Sequence, residues 1–93
     1  MDTKDQLIDP RHGELAELYG RRVVVGAKQL RKALENDRAV FVYLAEDADP
    51  AITAALEQQC QVHNVPYAWI PTMGELGRAC GIDVGAAAAA AVR

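Results

Sequence analysis

The seven residues Ala39-Val40-Phe41-Val42-Tyr43-Leu44-Ala45 carry no polar group except one tyrosine hydroxyl. The run is rich in β-branched and aromatic residues, which favour strands. A strand points successive side chains to opposite faces, so a run that is apolar throughout needs cover on both sides. This segment therefore reads as the central strand of a sheet buried between layers.

The flanking segments supply the layers. Arg21–Val25 reads as a first strand. From Ala27 to about Asn36, Leu30, Ala33 and Leu34 recur at helical spacing, with Lys28, Arg31, Lys32 and Glu35 on the other side. Asp49-Pro50 is a helix start, Asp as N-cap and Pro in the first turn. That helix is expected to reach His63, with Ile52, Ala55, Leu56 and Cys60 as its apolar stripe and Asn64 at its C-terminal end. Val65–Ile70 reads as a strand despite Pro66. Within it, one of Tyr67 and Trp69 is expected to face the core and the other a covering helix or solvent. Thr72 suits the N-cap of a helix Met73–Cys80, with Glu75 in capping-box position and Gly81 closing it.

Ala86–Ala91 sets two arguments against each other. Alanine is the best helix former and a poor strand former. Yet Gly85 and Val92 bracket a stretch far shorter than the roughly 12 residues an isolated helix needs.

Strands alternating with helices give an α/β fold, with helices on both faces of a small sheet. Ninety-three residues make one domain, residues 1–93, with residues 1–13 as a polar and flexible lead. Glu14–Tyr19 is a short helical pattern ended by Gly20. No apolar run approaches the roughly 18 residues of a membrane span, and the polar start lacks the apolar core of a signal peptide. Cys60 and Cys80 have no CxxC spacing. They read as small buried hydrophobes in a reduced, cytoplasmic setting rather than as a disulfide framework.

Catalysis finds no actor. The chain has no serine, and no Cys–His pair is suggested by spacing. His12 and His63 lack metal-ligand spacing, and Gly81-x-x-x-Gly85 has no following Lys-Ser/Thr to make a phosphate loop. No enzyme activity, metal or cofactor is expected.

Charge is the informative feature for function. Residues 21–38 hold six of the ten basic residues and two of the thirteen acids, a net +4, while the rest of the chain is −7. A mildly acidic protein with one basic segment suits local binding of a polyanion. The segment Gly26-Ala27-Lys28-Gln29 also begins where a helix presents free N–H groups and its positive dipole end. Helical spacing lets Lys28, Arg31 and Lys32 share a face. The same pattern also describes an ordinary solvated face of an amphipathic helix.

Several segments carry a family likeness. Gly26-Ala27-Lys28-Gln29-Leu30-Arg31-Lys32-Ala33-Leu34 resembles the start of the RNA-binding helix of the ribosomal protein "L-seven-Ae"-like family, the kink-turn binders. Ala45-Glu46-Asp47-Ala48-Asp49-Pro50 is similar to that family's strand-to-helix connection. Asn64-Val65-Pro66-Tyr67, Leu76-Gly77-Arg78-Ala79-Cys80-Gly81-Ile82 and the alanine-rich end match in the same order. The likeness covers about residues 20–93. Lys28-Gln29, where archaeal and eukaryotic members usually carry Asn-Glu, resembles the bacterial branch.

The resemblance implies a three-layer α-β-α sandwich with a small, about four-stranded mixed sheet and the alanine tract as one strand. It implies a non-enzymatic, monomeric RNA-binding protein, ribosomal or ribosome-associated, whose partner is a kink-turn in ribosomal RNA or a riboswitch. Such a kink is a sharp bend containing sheared G·A pairs. The implied site is Gly26, Ala27, Lys28, Gln29, Arg31 and Lys32, with a covering loop of Ile82, Asp83, Val84, Gly85 and Ala86. Lys28 suits guanine O6 and N7, and Gln29 can donate and accept at one base edge. Glu46 and Asp47 look unfavourable for phosphate, and Asp47 is expected to bond amides of its own loop. The acidic overall balance supports a different reading, a protein-interaction module on the same fold without RNA binding.

Overall fold

The structure, a computed structural model, describes residues 22–93. The polar lead, the helical pattern at 14–19 and Arg21 lie outside the described residues. Seven elements follow: β1 (Arg22–Val25), α1 (Ala27–Glu35), β2 (Ala39–Ala45), α2 (Pro50–Val62), β3 (Tyr67–Ile70), α3 (Met73–Ala79) and β4 (Ala88–Val92). They build one four-stranded mixed sheet, ordered β1-β4-β2-β3.

β4 runs antiparallel to both neighbours, and β3 runs parallel to β2. β1, β2 and β3 therefore all point the same way. Each is followed by a helix, so the N-termini of α1, α2 and α3 gather at one end of the sheet. That end of an open α/β sheet is where ligands usually bind.

Two apolar layers sandwich the sheet, as expected for the fold. On one face Leu30, Ala33 and Leu34 of α1 and Leu56 and Cys60 of α2 pack on Val42, Leu44, Ala88, Ala90 and Val92. On the other, Leu76 of α3 packs with Tyr43, Ala45, Ile70, Ala89 and Ala91. Ala39 shares the first face with Val42 and Leu44, although its parity is odd. The β2–β4 register slips between Ala39 and Phe41, and the extra residue, Val40, resets the alternation.

The alanine tract is a strand. Ala88–Ala91 are fully buried between β1 and β2, with helices on both sides. Both sets of backbone groups are taken by sheet partners, and the methyl side chains let the layers close in. Tertiary pairing outweighs the intrinsic preference for helix.

Three expectations are corrected. The inward stripe of α2 is Thr53, Leu56 and Cys60, whereas Ile52 is 39% exposed and Ala55 is exposed. The first turns of α2 are small and apolar nearly all round, so hydrophobicity does not select a face. Thr53 tolerates the inward position because its hydroxyl donates to the Asp49 carbonyl at 3.4 Å, within the helix. The third strand begins at Tyr67 rather than Val65. Pro66 has no N–H for the ladder, and only its carbonyl joins, accepting from Val42 N–H at 3.0 Å. Tyr67 and Trp69, two residues apart, lie on the same face of β3, packed against the α1–α2 layer. The Tyr67 hydroxyl donates to Glu57 at 2.8 Å and accepts from Gln61 at 3.0 Å, both on α2.

Asn64 takes the left-handed conformation (φ 57°) just past the His63 C-cap, which ends α2. Cys60 is buried and Cys80 half-buried, and both are free thiols. Burial, with a smaller push from Glu57, raises the Cys60 thiol to about 11, and burial also raises Cys80. Among the described residues no helix is long and apolar enough to cross a membrane.

Candidate functional site

Two of the three gathered helix N-termini cap themselves. Asp49 accepts from Ala51 N–H at 2.9 Å, and Thr72 accepts from Glu75 N–H at 3.0 Å. α1 differs. Its N-cap is Gly26, which supplies no side-chain cap, and no acid stands in its first turn. The first N–H groups of the helix and its positive dipole end therefore remain available to an external acceptor.

Gly26 also sets the direction of entry. Its φ of 100° and ψ of 153° fall in a region that is essentially glycine's alone. No atom lies within 4 Å of where a Cβ would stand, so conformation rather than crowding demands glycine.

The side chains along α1 sort cleanly. Leu30, Ala33 and Leu34 are buried, while Lys28, Gln29, Arg31 and Lys32 are exposed and Ala27 is half-buried. The predicted basic face is thus real geometry. Not all of the basic segment joins it. Arg22 and Arg38 lie at the opposite end of the sheet, near Val92 and Arg93.

The second predicted cluster arrives beside the first. Gly26 N–H donates to the Ala88 carbonyl at 2.9 Å, and Val25 pairs with Ala89. The segment 82–87 leading into β4 is thereby brought to the start of α1. Within it Asp83, Val84 and Gly85 are exposed, Val84 to 69%. Ile82 is half-buried against the α3 layer, and Ala86 is buried, its N–H donating to the Met73 carbonyl at 3.0 Å. Asp83, Val84 and Gly85 form the outward surface, and Ile82 and Ala86 anchor it.

Sequence reasoning missed how this loop is held. A Cβ on Gly77 would strike the Val84 carbonyl oxygen and lie 3.2 Å from Gly85 Cα. The absence of a side chain at Gly77 lets α3 and the loop touch backbone to backbone. The available signal was a glycine inside a helix, which costs stability and usually has a packing reason. Asp47 was also misplaced. It accepts from Met73 N–H, at the start of α3, at 2.8 Å, and does not bond its own loop. That link spans 26 residues and leaves no local trace in the sequence. Glu46 and Asp47 are exposed at the same end as α1's start, so the end carries both signs of charge.

The arrangement offers amide donors, three exposed cations and a carboxamide on α1, beside a loop that exposes Asp83, Val84 and Gly85. Such a set can accept a polar, anionic, partly flat ligand such as an exposed base edge with its phosphate.

Comparison with known proteins bears on this site. A sequence model described as "Ribosomal protein L7Ae/L30e/S12e/Gadd45 family" matches residues 14–93. A protein named as RNA-binding from Caldanaerobacter subterraneus subsp. tengcongensis is 45% identical over 78 residues, 84% of this chain and 95% of its own length. The RNA-binding protein YbxF of Geobacillus stearothermophilus is 41% identical over 76 residues, 82% of this chain and 93% of its own. Among solved structures, the Giardia lamblia 15.5kD RNA binding protein superposes with a TM-score of 0.78 at 26% identity. That match covers 100% of this chain and 78% of the other.

Proposed function

This chain belongs to the ribosomal protein L7Ae/L30e/S12e/Gadd45 family, and we propose that it is a non-enzymatic RNA-binding protein that recognises kink-turns. The observation that carries the reading is the uncapped start of α1, with Lys28 and Gln29 exposed beside the Val84 loop. The relatives named as RNA-binding proteins support the partner class.

In this reading Lys28 donates to guanine O6 and N7 at a sheared G·A pair, and Gln29 matches the mixed donors and acceptors of the neighbouring edge. Such edges are out of reach in the deep, narrow major groove of regular A-form RNA and become accessible at a kink. The amides of Ala27 and Lys28, above the Gly26 bend, face a phosphate. Arg31 and Lys32 hold the backbone of the adjoining stem. Asp83, Val84 and Gly85 cover unpaired nucleotides through apolar contact and backbone groups, with Ile82 and Ala86 as the loop's anchors. Binding works as a population shift: a protein that prefers the bent RNA draws it from the extended ensemble. A monomer acting in the cytoplasm, on ribosomal RNA or a riboswitch, fits this role, and the two free thiols fit a reduced compartment.

The exposed acids Glu46, Asp47 and Asp83 at the same end favour a second reading, a protein-interaction module without RNA binding. Gel shift with one kink-turn duplex and a control lacking its G·A pairs separates the two. Binding of the kink-turn and not the control is expected. Equal or absent binding of both overturns the proposal.

A further inference from the structure

The described residues divide their charge unevenly. Five of their eight acids, Glu46, Asp47, Asp49, Glu75 and Asp83, lie in or beside the loops at the end of the sheet where the helices start. Six of their seven basic residues follow α1 instead. Lys28, Arg31 and Lys32 run along its outward face, and Arg22, Arg38 and Arg93 surround its far end.

The far cluster is built by sheet register and backbone bonds. Arg93 N–H donates to the Arg38 carbonyl at 2.9 Å, and Arg93 Nε donates to the Asp37 carbonyl at 3.0 Å. Arg38 Nη2 reaches the Arg93 carbonyl at 3.5 Å. Arg22 pairs with Val92 across the sheet. It shares the parity of Val24, which packs on the α1 side, so the strand sets Arg22 on that face too. All three residues are exposed, and none meets an Asp or Glu side chain among the described residues. They stand on the order of 15 Å from the start of α1, given a nine-residue helix rising about 1.5 Å per residue. That is too far to touch the nucleotides at Lys28, and well within reach of a duplex that leaves the kink along α1.

We propose that Arg22, Arg38 and Arg93 form a second, sequence-independent contact that holds the phosphate backbone of a stem flanking the kink-turn. The inference rests on the RNA reading above. Its physical basis is the placement of charge: at the far end three guanidinium groups outnumber the exposed Glu35 and Asp37, while acids alone line the loops at the other end. The acidic end repels a stem, and the basic track beside α1 draws it toward the far cluster. Guanidinium groups suit phosphate by their paired donors. Positive charge near the C-terminus of α1 would also answer the helix dipole, a purely structural role. That role affects stability and is indifferent to the length of an RNA stem.

The test compares two RNAs with the same kink-turn, one with minimal stems and one with both stems extended. Dissociation constants are measured over a salt series for the wild type and for Arg22→Gln/Arg38→Gln/Arg93→Gln. Wild type should bind the extended RNA about tenfold more tightly, with a log–log salt slope steeper by roughly two to three, about one per phosphate contact. The triple variant should lose that difference and bind the short RNA like wild type. Replacing the three arginines by lysine should keep the slope difference. Should the glutamine triple fail to fold, Arg22→Gln, which leaves the bonds among Asp37, Arg38 and Arg93 in place, should still lower the extended-stem slope by roughly one. Equal slopes for wild type on both RNAs overturn the second contact while leaving the kink-turn reading intact. Failure of wild type to prefer the short kink-turn over its G·A-disrupted control overturns the kink-turn reading itself.

Discussion

Single residues decide the chemistry at the start of α1. Lys28 and Gln29 are exposed and leave their side-chain donors to a ligand, so Lys28→Ala and Gln29→Ala should each weaken kink-turn binding by roughly 1–3 kcal/mol, the scale of a good base contact. Discrimination against the G·A-disrupted control should fall with affinity. Arg31→Ala should cost less and act mainly through phosphate, which a shallower salt dependence would reveal. Isothermal titration of the three variants checks these outcomes, and wild-type affinity in all three would displace the site. Gly26 carries a different burden. An alanine there keeps open space around its methyl but must hold φ near 100°, a strain of about 1–3 kcal/mol. Thermal unfolding of Gly26→Ala should show that loss. No change in stability would mean the bend is easier than its dihedrals imply.

At the scale of elements, contact between α3 and the loop before β4 links fold to site. Gly77→Ala places a methyl against the Val84 carbonyl and must push loop or helix away. RNA affinity should drop although Gly77 itself is buried and cannot touch RNA. Val84→Asp tests the same loop from outside. Val84 is 69% exposed, so the melting temperature should barely move while a carboxylate facing RNA weakens binding. Unchanged affinity in both folded variants would remove the loop from the interface. β4 offers the converse case. Ala90 is fully buried under α1 and α2, and Ala90→Leu should destabilise by about 1–3 kcal/mol through overpacking. Chemical denaturation measures it directly. A neutral result would contradict the close approach of helix and sheet.

The whole molecule adds a dependence on pH. The Cys60 thiol, raised by burial to about 11 from an ordinary 9.0, keeps its proton in the folded state after the unfolded chain has lost it. Its contribution to stability is therefore complete below about pH 9 and disappears as pH rises to about 11. The rise from 9.0 to about 11 corresponds to on the order of 3 kcal/mol. Cys60→Ala should flatten the fall in unfolding free energy across that window relative to wild type. Parallel curves for the two proteins would show that the thiol does not carry the effect. Slow labelling of Cys60 by a thiol reagent in the native protein should accompany it, since the thiolate is the reactive form.

The local pattern of side chains determined a good deal by itself. The apolar run Ala39–Ala45 demanded cover on both faces, the stripe Leu30, Ala33 and Leu34 defined the buried side of α1, and Asp49 and Thr72 marked helix starts. These are effects of neighbours in sequence, so sequence contains them. The family likeness added the strand at Ala88–Val92, against the local preference of alanine. Other features arose only when distant segments met. The face of α2 was set by its packing on the sheet, because its first turns are apolar nearly all round, and the Thr53 hydroxyl is satisfied within the helix by Asp49. Asp47 found its partner across 26 residues, and Gly77 owed its identity to a loop it does not adjoin. The basic segment at 21–38 looked like one patch along the chain. Sheet register split it, leaving Lys28, Arg31 and Lys32 on α1 and carrying Arg22 and Arg38 to the far end beside Arg93. Charge adds along the sequence, but a field depends on positions in space, and only the tertiary structure assigns those.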